Sequence, residues 1–161
     1  LVSRWTGRVL KVSPDGQVAE VVHTGGKPQS VALLETGDLL LADAKNHALQ
    51  RITPDGVLST IANTASGKPF IGPNDLVVAD GGIVYLTDPG LDLERMGRIL
   101  RIDIESGAAE ILAEGYQFPN GITISANAQH LLVAERGAVV PRHRAMEERI
   151  LSSASFMFMS A

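Results

Sequence analysis

Three side-chain amides recur in one setting. Gln29, Asn74 and Asn120 each follow a proline, and those prolines (Pro28, Pro73 and Pro119) stand 45 and 46 residues apart. Asp75 adds a carboxylate beside Asn74. Each amide is followed by two apolar runs that end on a carboxylate: Asp43, Asp88 and Glu135. Amide and carboxylate oxygens are the ligands that a hard divalent cation such as calcium takes. The plainer reading is that an amide after proline caps its own backbone where a strand begins. That reading is preferred for Gln29, whose side chain is longer and whose neighbours Lys27 and Ser30 are ordinary loop residues. Asp43, Asp88 and Glu135 are expected to bond an adjacent turn or to face water. Asp75 stays open between a role of its own and that of orienting a neighbouring amide.

Other chemistry is missing from the sequence. The histidines His23, His47, His130 and His143 share no ligand spacing. There is no glycine-rich phosphate loop, no zinc-binding His pair on a helix and no nucleophilic serine elbow. The 161 residues include no cysteine, which excludes disulfides and thiolate chemistry. A formal net charge of −4, with both signs interspersed, gives no footprint for nucleic acid or an anionic membrane, so neither partner is expected. No apolar run nears the roughly 18 residues of a membrane span. No secretory leader is visible either, and a cytoplasmic location is expected.

The elements that must position the amides are short strands. GRVLKVSPDGQVAEVV from Gly7, HALQRITPDGVLSTIA from His47 and GRILRIDIESGAAEIL from Gly97 each read as strand, tight turn, strand. Alternation is clear in Val9-Leu10-Lys11-Val12 and in Ile99-Leu100-Arg101-Ile102. Pro14-Asp15-Gly16 and Pro54-Asp55-Gly56 supply the fixed φ and the permissive glycine of a hairpin turn. Joined to the amide-bearing phrases, they make four antiparallel strands per unit.

A period near 45 residues built from four short strands is the signature of a β-propeller blade, so the fold class is all-β. The reading places an outer pair at about 8–22, full units at about 28–61 and 73–112, and an inner pair at about 119–135. The inner strands of the first unit would lie upstream of Leu1. Residues 89–96 form an insertion in the third unit, read as a loop. Residues 1–135 are thus a partial propeller of about three blades. Residues 136–161 form an off-pattern tail, read as a truncation, a frame change or a cap, with helical turns expected at 145–151 and an exposed apolar run at 156–159. Open edge strands predict self-association.

The stretch GPNDLVVADGGIVYLTDPG at 72–90, with FPNGITISANAQHLLVAE at 118–135, resembles the senescence marker protein (regucalcin)/gluconolactonase family. The resemblance covers about residues 7–135, roughly half of a family member. It implies a six-bladed propeller and a hydrolase that opens sugar or related lactones. The implied cofactor is one divalent metal, calcium first, with zinc, magnesium or manganese as substitutes. Carried over by position, Asn120 is a metal ligand, and Asn74 contacts substrate or ligates the ion. Asp75 joins Asn74 in the substrate-binding set. A metal-binding glutamate from a Glu-x-Pro-x-Trp phrase and an aspartate from a later Pro-Asp-Gly strand have no counterpart here, so incomplete activity is expected. Residues 42–56 also resemble an NHL-type repeat, which implies a non-catalytic binding module. A strictosidine-synthase-like propeller is the further alternative.

Overall fold

Apolar runs with no polar break dictate where this chain is buried. Leu39-Leu40-Leu41-Ala42 and Ile83-Val84-Tyr85-Leu86 offer apolar side chains to both faces of a strand, which suits a strand with a sheet packed on either side. The computed structural model, which describes residues 1–90, 96–136 and the backbone of 155–160, puts them there.

The strands form successive antiparallel sheets. The first comprises β1 (Val2–Ser3), β2 (Arg8–Val12) and β3 (Val18–His23). The second comprises β4 (Pro28–Leu33), β5 (Leu39–Asp43), β6 (Ala48–Ile52) and β7 (Leu58–Ala62). A small hairpin follows, β8 (Thr64–Ala65) with β9 (Lys68–Pro69). The third sheet holds β10 (Leu76–Ala79), β11 (Ile83–Asp88), β12 (Met96–Asp103) and β13 (Ala109–Gln117). The fourth holds β14 (Pro119–Ile124), β15 (His130–Glu135) and β16 (Ser155–Ser160). Each sheet is a propeller blade, with β4, β10 and β14 innermost and β10 lying against the other two.

Period-2 alternation sends side chains into different seams. Leu40, Ala42 and Leu49 pack with Leu76, Val84 and Leu86 between the second and third blades. Leu41 and Ile52 face the other way, onto Val9 of the first blade. Tyr85 and Ile99 pack against Ile122, Leu131 and Val133 of the fourth. The predicted turns close as hairpins. Gly16 and Gly56 adopt φ of +84° and +87°, and their N–H groups donate to Ser13 and Thr53 carbonyls at 2.9 and 2.8 Å.

Two differences from the sequence reading concern the outer blades. The first blade gains a short strand, β1, beside the expected outer pair. The fourth gains β16, which pairs in register with β15 from His130↔Ser160 to Glu135↔Ser155. The run Phe156-Met157-Phe158-Met159 therefore belongs to a strand. Its apolar residues do not alternate with polar ones, so no period marked it. The helical turns expected at 145–151 and most of the insertion at 89–96 lie outside the described residues. Among the described residues no helix is long and apolar enough to cross a membrane.

Candidate functional site

β4 and β14 start with a proline and Pro73 stands just before β10, and proline has no N–H to give to the ladder. The amide next to it falls on a β-bulge in all three blades. Pro28 pairs with Asp43 and Ser30 with Ala42, so Gln29 is the extra residue. In the third blade Asn74 and Asp75 both oppose Thr87: the Asn74 N–H donates to the Thr87 carbonyl, and the Thr87 N–H to the Asp75 carbonyl, each at 2.9 Å. Between Pro119↔Glu135 and Ile122↔Val133 one extra residue enters at Asn120-Gly121. A bulge re-aims a side chain at the rim of a sheet. Gln29, Asn74 and Asn120 are half-buried, and their side chains make no hydrogen bond among the described residues.

The strand-ending carboxylates are anchors. Asp43, fully buried, accepts the N–H groups of Lys27 (2.7 Å), Asn46 (3.0 Å) and Lys45 (3.1 Å), together with the Thr24 hydroxyl (2.8 Å). Asp88, also fully buried, accepts Ile71 N–H (2.9 Å) and Gly72 N–H (2.7 Å). Glu135 accepts Gln117 N–H. In each blade the carboxylate ties down the segment leading to the proline, whose N–H groups would otherwise lack acceptors. Gly26 is required beside Asp43, because a Cβ there would lie 2.2 Å from both carboxylate oxygens.

Asp75 reaches into the next blade, where its Oδ2 accepts the Ile122 N–H at 3.0 Å. Thr87, fully buried, completes that seam: its hydroxyl accepts from Asp75 N–H at 2.9 Å and donates to the Asn120 carbonyl at 2.7 Å. Asn74, Asp75 and Asn120 are thus brought together at one end of two neighbouring inner strands. Gln29 sits one blade away. In its blade the positions equivalent to Asp75 and Thr87 are Ser30 and Ala42, and the buried Ser30 hydroxyl has no partner.

Three contributors went unread in the sequence. Thr87 is the one polar residue in the run IVYLT, and that break was its signal. Arg98, 5% exposed, grips Asp88 through Nε at 3.1 Å and through Nη2, and also donates to the Pro69 carbonyl at 2.7 Å. In sequence it looks like the solvent-facing member of an alternating strand. Phe118 adopts φ of +53° immediately before Pro119, a left-handed conformation costing about 1–3 kcal/mol for a bulky residue. It is held by the Arg136 N–H on its carbonyl at 3.0 Å, with the Arg136 guanidinium 5.9 Å from its ring. Nearby, burial and the negative charge of Glu135 push the Tyr116 phenol above its usual pKa, so it stays protonated.

Two amide oxygens suit a hard cation in kind but supply no charge. Among the described residues no three His, Cys, Asp or Glu side chains gather as a metal cluster. The carboxylates at this end are engaged by backbone N–H groups. Asn74 and Asn120 therefore fit as part of a ligand set.

The chain as a whole is similar to known proteins. Residues 2–138 match the family described as SMP-30/Gluconolactonase/LRE-like region. The chain is 31% identical over 149 residues to the protein strictosidine synthase-like 7 of Arabidopsis thaliana, covering 83% of this chain and 40% of that one. It is 28% identical over 159 residues to gluconolactonase of Zymomonas mobilis, covering 88% and 44%. A solved gluconolactonase from Xanthomonas campestris shares the fold with a TM-score of 0.75 at 23% identity, over 83% of this chain and 48% of that one. The calcium-binding protein regucalcin from Agrobacterium tumefaciens shares it at 0.68 and 18%, over 83% and 44%. The chain spans less than half the length of each of these relatives. It belongs to the SMP-30/gluconolactonase/LRE-like family.

Proposed function

We propose that this chain carries part of the active site of a metal-dependent lactonase of the gluconolactonase type. The observation that supports it is the pair Asn74 and Asn120, half-buried on equivalent bulges of adjacent inner strands and locked together through Asp75 and Thr87. Their side-chain oxygens would hold a divalent cation, calcium by ligand type, with carboxylates from beyond the described residues supplying the charge. The chemistry a bound ion would supply is polarisation of a lactone carbonyl toward attack by water. Thr87 and Asp75 fix the backbone that carries Asn120. Asp75 keeps its second carboxylate oxygen free among the described residues for a substrate hydroxyl.

The test is hydrolysis of D-glucono-1,5-lactone by this chain, followed by proton release, with calcium removed by chelation and restored. Calcium-dependent turnover that Asn120→Ala abolishes supports the reading. No turnover together with no calcium binding at millimolar calcium favours the second reading, a strictosidine-synthase-like propeller, to which the 31% identity points.

A further inference from the structure

Charge is sorted between the two ends of these blades. The turns that join first to second and third to fourth strands lie at the end away from the bulges. They carry Asp15, Glu35, Asp38, Asp55, Asp80 and Glu105, and no lysine or arginine. The bulge end is the reverse. Asp43, Asp75, Asp88 and Glu135 turn inward there onto backbone N–H groups, while Glu114 on β13 is exposed and paired with Lys68. Among the described residues at that end, the cations with no carboxylate partner are Arg4, Lys45 and Arg136, which are exposed, and Lys27, which is half-buried.

Two of these cations are held together. The Trp5 ring, 78% exposed, has the Arg4 guanidinium 4.8 Å and the Lys27 ammonium 5.1 Å from its centroid. Neither cation has a carboxylate partner among the described residues. Cation–π attraction keeps both at the rim, and their mutual repulsion is left for an anion to relieve. Arg4 belongs to the turn after β1, and Lys27 immediately precedes Pro28 and Gln29, so the pair stands at the bulge end, two or more blades away from Asn120.

We propose that the lactone taken at this end is an anion, a sugar lactone bearing a carboxylate or phosphate, whose negative group is received by Arg4 and Lys27. This rests on the lactonase reading and adds the substrate class to it. Clefts lined by one sign of charge raise association rates for the opposite sign, and salt screens the effect.

The experiment compares kcat/KM for 6-phospho-D-glucono-1,5-lactone, D-glucaro-1,4-lactone and neutral D-glucono-1,5-lactone, at about 20 and about 200 mM salt. An anionic lactone is expected to exceed the neutral one about tenfold at low salt, with the gap shrinking at high salt. The better anionic lactone identifies phosphate or carboxylate as the group received. The double variant R4Q/K27Q should erase the gap, whereas K11Q, which removes a charge elsewhere, should keep it. Equal rates on all three lactones, or a gap that survives R4Q/K27Q, overturns the proposal. If no lactone reacts, the lactonase reading is what has failed. Titration with 6-phospho-D-gluconate then judges the anion site directly: binding lost in R4Q/K27Q upholds it, and no binding to the parent chain overturns it.

Discussion

The Thr87 hydroxyl donates to the Asn120 carbonyl across 2.7 Å, from the second strand of one blade to the first strand of the next. The same oxygen accepts the Asp75 N–H at 2.9 Å, so one buried hydroxyl registers two bulges against each other. Thr87→Val keeps the shape and removes both bonds. It should cost about 1–3 kcal/mol, the usual penalty for stranding buried backbone partners. Urea denaturation measures it, and a loss below about 0.5 kcal/mol would show that the hydroxyl does not hold the seam.

Asp88 and Arg98 form a buried pair, 0% and 5% exposed. Arg98→Met alone should destabilise the chain by about 3–5 kcal/mol, because the buried Asp88 loses its ion-pair partner. The backbone N–H groups of Ile71 and Gly72 still bond Asp88, so Asp88→Asn should also be costly when combined with Arg98→Met. A double-mutant cycle in urea reports the coupling. Additive losses would mean that the two side chains act independently.

Much of the fold was legible because burial on two faces leaves an unbroken apolar run. The 45-residue recurrence of Pro-amide phrases and the Pro-Asp-Gly turns marked out the blades. The bulges were not legible, since an extra residue at a strand start looks like any loop residue until its partner strand is paired. Arg98 was hidden by its alternating strand, and β16 by the want of alternation in Phe156-Met157-Phe158-Met159. For the candidate site, the amides Asn74 and Asn120 could be read from the repeat. The work of Asp43 and Asp88, buried against backbone N–H groups, depends on chain segments 16 and 17 residues away.

Gly26→Ala should be among the most damaging small substitutions. Its Cβ would lie 2.2 Å from both oxygens of Asp43, and the carboxylate cannot retreat without losing Lys27 and Asn46. A stability loss of several kcal/mol is expected, comparable to breaking a buried polar network. Gly67→Ala meets nothing within 4 Å and bears only its φ of +75°, so it should cost about 1 kcal/mol. Equal losses in thermal melts would contradict the contact.

Two carboxylates, Asp15 in a turn and Asp103 at the end of β12, set an acid dependence. The Ser13 hydroxyl lowers the Asp15 pKa, and the Ser106 N–H lowers that of Asp103. A depressed folded-state pKa contributes stability above the unfolded value, and that contribution is lost as pH falls through the folded value. The urea midpoint should therefore drop as pH is lowered from about 4 toward 2, and less steeply in Asp103→Asn. An identical slope in the variant would remove Asp103 from the account.

Calcium titration calorimetry on the chain and on Asn120→Ala, Asn74→Ala and Gln29→Ala tests the central claim most directly. Weak calcium binding by the parent chain is expected, because two neutral amides supply no charge. Asn120→Ala and Asn74→Ala should abolish it, and Gln29→Ala should leave it within about twofold. Equal losses in all three variants, or the same affinity in all, would contradict the assignment of the site to the Asn74–Asn120 seam.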